Sequence, residues 1–379
     1  MEKYSEISLD EKQALQKKEG NEHKKSIGIL TFHYVDNYGA VLQAWALREV
    51  INRFPNCNAD IINYVPPGYV IYPYESTEIG VNKMIKKRKR YEEFLRTYCG
   101  VDSPIVHKVI GNKYDFYCVG SDQVWNFDFR ENQDQEYLFP NLDEQAVRFS
   151  YAASIKEKSI KEKDIFYQHL SKFKMISLRE HRFLSEMQNY CKQKIVQVLD
   201  PTLLLTAEDY NPLVCSDKLI EDKFIFFFIY PIGDAIREYV PFVNTLARKY
   251  HLKILHTCFD APDYMFVNNA GCVMYEGINE FLWYMKHAEI VVTTSYHGMI
   301  FSLVFQRPFY LFIREAGKER LLELTELLGL QDRVVTNYIP ANKLLDDINY
   351  KSVNKILNRE RKRSNMFLKS VLDLNSDYE

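Results

Sequence analysis

At 379 residues the chain is long for one domain and suits two of ordinary size. Hydrophobic residues make up 46% and charged residues 26%, the balance of a globular chain, and a net charge of -2 gives no global field that would favour nucleic acid. The seven cysteines are scattered, odd in number and without a C-x-x-C pair, which suits a reducing cytoplasm better than a disulfide framework or a zinc site.

The N-terminal stretch "MEKYSEISLDEKQALQKKEGNEHKK" is highly charged and lacks the apolar core of a signal peptide, so residues 1–26 are expected to be a flexible lead-in. No apolar run is long enough to span a bilayer. "SIGILTF" (26–32) reads as a strand. The loop "HYVDNYG" follows, and then "AVLQAWALREVINRF" spaces Val41, Leu42, Trp45, Ala46 and Val50 as a helix does. The alternation recurs through the strand "ADIINYV", the basic helix "VNKMIKKRKRYEEFLRTY", the strand "YDFYCVG" and the loop "SDQVWN". It continues with the strand "VRFSYAAS", "KMISLRE" running into the helix "HRFLSEMQNY", and "IVQVLD", stopped by Pro201.

A polar stretch at 206–222 interrupts, and a second series begins. Its strands are "KFIFFFIY", "LKILHTC", "EIVVTT" and "RPFYLFI". Its helices are "DAIREYVPFVNTLARKY" despite Pro241, "INEFLWYMKHA", "GMIFSLVF" and "KERLLELTELLGL", the last with Gly329 near its end. The pattern predicts an α/β protein of two doubly wound Rossmann-like domains, residues 27–207 and 222–345. The amphipathic segment 346–379 is expected to form a helix crossing back to the first domain. The many Tyr and Phe residues suit aromatic core strands, and exposed ones would suit sugar binding.

In such sheets ligands bind beyond the carboxyl ends of strands, where helix N-termini offer free N–H groups and a favourable dipole to anions. The unusual polar residues gather there: His33, Asn37, Tyr38 and Gly39 after the first strand, Gly120, Ser121, Asp122 and Gln123 after another, Arg179 and Glu180, then Asp200, then Ser295, Tyr296, His297 and Gly298. Several also read as turn or cap residues, Asp122 as the cap of a following helix and Asp200 before Pro201. There is no G-x-G-x-x-G, Walker A loop, G-x-S-x-G elbow or H-E-x-x-H, and no cluster with metal-ligand spacing.

Taken in order, "GILTFHYVDNYGAVLQAWAL", "YDFYCVGSDQVWN", "SYAAS", "ISLREH", "VLDPTLLL" and "VVTTSYHGMIFSLVFQRPF" closely resemble the polysaccharide pyruvyl transferase family, from about Ile27 to about Arg333. The resemblance implies a GT-B-like pair of domains with a cleft between them. It implies transfer of an enolpyruvyl unit from phosphoenolpyruvate to a sugar hydroxyl, closed into a pyruvate ketal, with no metal or further cofactor. The sugar would belong to a cell-surface polysaccharide, such as a capsule or exopolysaccharide, or to its lipid-linked precursor. His297 and Gly298 match the family's His-Gly pair, which makes His297 the expected acid, with Asp122 and His33 to orient or deprotonate sugar hydroxyls. Arg179 matches the Arg after the "IS" strand and is expected at the donor with Ser295, Tyr296, Gly298 and Arg320; Asn37, Tyr38, Ser121 and Gln123 are expected at the acceptor. Ser295 stands where studied members carry an Arg two residues before the His, so Arg314 or Arg320 is expected to supply that charge. A glycosyltransferase using a nucleotide sugar, or a non-catalytic carbohydrate-binding relative, would fit the same fold. The basic runs 86–90 and 359–363 suggest weak peripheral contact with an anionic membrane face.

Overall fold

The computed structural model describes residues 24–69, 77–128, 135–156, 160, 163–229, 236–258, 265–267, 270–314, 317–335 and 347–372. The expected lead-in therefore lies almost wholly outside the described residues. In the first half, β1 (Lys25–Leu30), α1 (Tyr38–Asn52), β2 (Cys57–Ile61), α2 (Glu78–Cys99) and β3 (Phe116–Val119) follow the expected alternation. Then come β4 (Asp122–Trp125), β5 (Val147–Ser150), β6 (Ala153–Ile155), α3 (Lys163–Leu170), β7 (Phe173–Leu178), α4 (Leu184–Gln188) and β8 (Ile195–Gln197). Among the described residues the strands form one eight-stranded sheet, β2-β1-β3-β5-β7-β6-β4 with β8 on β7, every pairing parallel.

Two elements differ from expectation. "SDQVWN" is no loop before a helix: Asp122 opens strand β4, entered at a backbone φ of 76° that a non-glycine residue rarely adopts. "VRFSYAAS" breaks into two strands because Ala152 also turns left-handed (φ 51°), held by Ser177 Oγ, which accepts from its N–H at 3.1 Å. The break lets β5 pair with β3 while β6 pairs with β4.

After the short helix α5 (Ala207–Tyr210), the second half holds β9 (Phe224–Phe228), α6 (Ile236–Tyr250), β10 (Lys253–His256), β11 (Gly271–Cys272), α7 (Ile278–His287) and β12 (Ile290–Thr293). It continues through α8 (Tyr296–Val304), β13 (Phe309–Phe312), α9 (Lys318–Leu328) and β14 (Val334–Val335). Its parallel sheet runs β11-β10-β9-β12-β13-β14. β9, "FIFFF", is buried at every position, as a central strand covered on both faces must be.

The halves meet through side chains as well as chain connections. Tyr38 stacks on Phe281 (centroids 4.4 Å apart, planes at 6°) and its hydroxyl donates to Glu276 O at 2.9 Å. Helix α10 (Tyr350–Leu372) starts against the second half, where Tyr350 Oη donates to Ser302 O at 3.4 Å. It then reaches the first: Arg361 donates to Leu203 O and Leu205 O, Ser364 Oγ accepts from Leu199 N–H, and Leu372 O accepts from Lys25 Nζ. Most arginines of the basic runs have partners, Arg88 with Asp36 and Glu92, Arg90 with Glu276, Arg359 and Arg363 with Glu360. Among the described residues, no helix is long and apolar enough to cross a membrane.

Candidate active site

The turn that carries "TTSYHG" is shaped by a cap and a close approach. Ser295 caps α8, its Oγ accepting from Gly298 N–H at 3.3 Å, and its own N–H donates to Thr293 Oγ1 at 2.9 Å. A Cβ on Gly298 would lie 2.3 Å from Thr293 Oγ1, so only glycine lets α8 sit this close to β12. His297 is thereby carried to the seam between the halves. Its ring lies on the backbone of Gly39, where an added Cβ would come within 2.0 Å of Nδ1. Gly39 in turn is fixed by Asn37, whose Oδ1 accepts from the N–H groups of Gly39 (2.9 Å) and Ala40 (3.2 Å) to cap α1.

Across from His297 is Asp200, 1% exposed. It caps the turn Pro201–Leu203: its Oδ1 accepts from Thr202 N–H at 3.0 Å and Thr202 Oγ1 at 2.6 Å. Its Oδ2 accepts from Ser121 Oγ at 3.0 Å and Arg179 Nη1 at 3.1 Å, and faces His297 Nε2 at 3.7 Å, too long for a hydrogen bond. Burial alone would raise the Asp200 carboxyl, but His297, Arg179 and Thr202 hold it well below the usual carboxylate range. Asp200 is therefore ionised, pairs with the Arg179 guanidinium and faces the His297 ring.

Arg179, 5% exposed, is the second hub. Nη1 donates to Asp200, Nε donates to Glu180 Oε1 at 3.2 Å, and Nη2 is buried with no hydrogen-bond partner. The guanidinium lies 4.7 Å from the centre of the Tyr296 ring, and Arg320 of α9 lies over the same ring at 5.6 Å. Burial and then the Arg179 charge push the Arg320 pKa down. Two guanidiniums on one buried ring repel each other, and an anion between them would relieve that repulsion. Burial, Asp200 and Glu180 together keep the Tyr296 phenol protonated far above its usual range.

Several of the buried polar atoms without a hydrogen-bond partner among the described residues belong to this site and its turn: Arg179 Nη2, Glu180 Oε2, Thr294 Oγ1, His297 Nε2 and Arg320 Nε. Native interiors leave few such atoms, so a cluster marks a place where a ligand or ordered water completes the bonding. Beside it is a cavity of about 80 Å³, lined by Arg179, Asp200, Tyr296 and Arg320 together with Glu360 and Arg363 of α10.

The expected site residues thus divide. His297, Arg179, Tyr296 and Arg320 come together, with Ser295 and Gly298 shaping the turn. Of the two arginines expected to supply a charge near Ser295, Arg320 lies over the ring of the adjacent Tyr296 and Arg314 is exposed. Asp122 is near enough to bear on the charges of Arg179 and Arg320, and its Oδ1 accepts from Gln123 N–H at 2.9 Å. Ser121 is fully buried and supports Asp200 rather than presenting a free hydroxyl. Gln123 Oε1 accepts from Asn126 at 3.0 Å. Tyr38 uses its ring and hydroxyl between the halves, and Asn37 uses its side chain as a cap. His33 is 1% exposed, with Nδ1 3.1 Å from Thr31 O and Nε2 3.3 Å from Asn63 Oδ1, and burial pushes its pKa down. Asp200, expected mainly as a turn former, is the hub, and Glu180 received no role from the sequence. The signal for both was their position at strand ends.

A family model, polysaccharide pyruvyl transferase, matches residues 37–315, nearly three quarters of the chain. The chain belongs to the polysaccharide pyruvyl transferase family. Among solved structures, S. aureus MnaA in a co-structure with UDP superposes with a TM-score of 0.51 at 10% identity, covering 94% of this chain and 99% of that one. The UDP-N-acetylglucosamine 2-epimerase of Rickettsia bellii gives 0.50 at 8% identity, covering 93% and 98%. Comparison with curated proteins gave no match. At these identities the likeness concerns the fold: two parallel α/β sheets in a GT-B-like arrangement. Arg320, Glu360 and Arg363 lie beyond the segment that the family model matches.

Proposed function

We propose that the protein moves a pyruvyl unit from phosphoenolpyruvate onto two hydroxyls of a sugar, in a cell-surface glycan or its lipid-linked precursor, as a cyclic ketal. The observation that carries this reading is the cluster of unpartnered buried atoms on Arg179, Arg320 and His297, because the donor is a compact anion that needs cationic donors and a proton source at one point. Arg179 Nη2 and Arg320 Nε bind the carboxylate or phosphate. His297, held against ionised Asp200, gives a proton to the methylene carbon of the enol. One sugar oxygen bonds to the central carbon, phosphate leaves with the electron pair of its C–O bond, and the second sugar oxygen closes the ring. Of the two hydroxyl protons released, one restores His297 and the other leaves on phosphate.

The cavity of about 80 Å³ is smaller than sites for drug-sized ligands, roughly 300–1,000 Å³, and suits only a compact donor. The test has two arms. Phosphoenolpyruvate should raise the thermal midpoint of the wild-type protein where UDP-sugars do not. Phosphate should then be released with one of the methyl glycosides of glucose, galactose and mannose, and His297→Ala should lose about 100-fold or more in rate with its midpoint nearly unchanged. Stabilisation by a UDP-sugar alone would replace this reading with a glycosyltransferase, and stabilisation by sugars alone with a binding protein.

A further inference from the structure

Glu180 is the buried acid whose chemistry the donor reading leaves unused. It is 4% exposed, and its two oxygens differ sharply. Oε1 accepts from Ser154 Oγ at 2.6 Å and from Arg179 Nε at 3.2 Å. Oε2 has no accessible surface and no hydrogen-bond partner. By contrast every oxygen of Asp200 is satisfied, so the two acids of the site have different tasks.

The orientation of Glu180 is itself informative. It occupies the N-cap position of the helical turn His181–Phe183, where an acid would ordinarily bend back onto the free N–H groups of its own helix. It makes no such bond. The carboxylate of Glu323, from α9 in the other half, takes that place: it accepts from His181 N–H at 2.7 Å and from Arg182 N–H at 3.4 Å. Glu180 is thereby free to turn inward, and Ser154 pins one of its oxygens so that the other is presented. Its charge is felt by Arg320 and by Tyr296, the residues around the proposed anion site.

A naked carboxylate oxygen beside an anionic donor would repel that donor. Its natural partner is a hydrogen-bond donor, and the reaction brings one, a sugar hydroxyl. We propose that Glu180 Oε2 receives the acceptor's attacking hydroxyl. This assignment rests on the pyruvyl-transfer reading. In the addition step the sugar O–H bond breaks and its proton passes to Oε2. The electron pair left on the sugar oxygen forms the bond to the central carbon of the protonated donor. The departing phosphate later takes the proton from Oε2, which returns Glu180 to its starting state.

Glu180→Gln tests this with little change in shape. The amide oxygen can still accept from Ser154 and Arg179, but an NH₂ group, which cannot take a proton, replaces Oε2. The expected result is phosphoenolpyruvate binding within about threefold of wild type, read from the thermal midpoint against ligand concentration. Phosphate release, with the methyl glycoside that wild-type protein uses fastest, should fall about 100-fold or more, the scale of a lost general base. Ser154→Ala, which unpins the acid without removing it, should lower that rate about tenfold and leave donor binding intact. Turnover within fivefold of wild type in Glu180→Gln would overturn the assignment. So would a loss of donor binding as large as the loss of rate, because Glu180 would then act only by holding Arg179. If Glu180→Gln does not fold, the Ser154→Ala rate decides: an unchanged rate overturns the assignment. A wild-type protein that phosphoenolpyruvate does not stabilise marks failure of the donor reading itself, and the assignment falls with it.

Discussion

Gly39→Ala should separate activity from stability. The residue is in the first turn of α1, where alanine is the better helix former by roughly 1 kcal/mol. The added Cβ, however, would lie 2.0 Å from His297 Nδ1, 2.3 Å from Cγ and 2.7 Å from Cε1. To reach an ordinary contact of 3.4 Å the ring must retreat by about 1.4 Å. Overpacking of this kind costs roughly 1–3 kcal/mol, which the helix preference offsets in part, so the net loss of stability should be about 0–2 kcal/mol. The effect on rate is of another order. Displacing a reacting group by about 1 Å costs on the order of 100-fold, so phosphate release should fall by at least that while phosphoenolpyruvate still binds. Urea denaturation and a phosphate-release assay on the same preparation make the comparison. A Gly39→Ala protein that keeps turnover within threefold of wild type would refute the placing of His297 against Gly39 as a requirement of the chemistry.

Other expectations follow from the same geometry. Arg179→Lys should weaken phosphoenolpyruvate binding at least tenfold and leave the sugar KM nearly unchanged, because the single nitrogen of an ammonium cannot reproduce the planar fork that spans Asp200 and Glu180 and presents a third edge to the donor; an equal rise in both KM values would count against a donor contact. Asp200 is held below its ordinary pKa, so its contribution to stability is complete above about pH 4 and is lost as pH falls below that. Asp200→Asn should therefore cost about 3–5 kcal/mol at pH 7 and clearly less at pH 3; chemical denaturation showing the same gap at both would contradict the pairing. In the basic run of α2, Lys86 and Lys89 are exposed, worth about 1 kcal/mol each beside an anionic surface, so retention on anionic vesicles should be weak, lost at high salt and abolished in Lys86→Glu/Lys89→Glu. Binding to neutral vesicles would point to another cause.

The elements most legible in the sequence were those whose signals are local. The apolar spacing of α1 and the all-apolar β9 each declare themselves within a few residues, and the strand-end rule put His297 and Arg179 on one rim, whereas Asn37 and Ser295, expected as ligand contacts, serve as helix caps. What was hidden depends on partners far along the chain. Asp122 stands before a sequence that can open a helix, but pairing of β4 with β6 makes it a strand. Tyr38 looks like a cleft aromatic until Phe281, some 240 residues later, stacks on it. Glu180 was placed at a strand end beside Arg179 but given no role, because the residue that frees it, Glu323, belongs to the other half.

Helix α10 has a consequence for how the protein is made. The Leu199 N–H and the carbonyls of Leu203 and Leu205 belong to the segment that closes the first half, yet their partners Ser364 and Arg361 come 165, 158 and 156 residues later. At roughly 5–20 residues per second, a ribosome needs about 8–33 s to supply them. For that interval the face that α10 will cover, beside Asp200 and the future anion site, stands open on the nascent chain. The first half is begun early and finished last, so a pause or truncation before Tyr350 would strand a nearly complete sheet with its apolar flank exposed to aggregation.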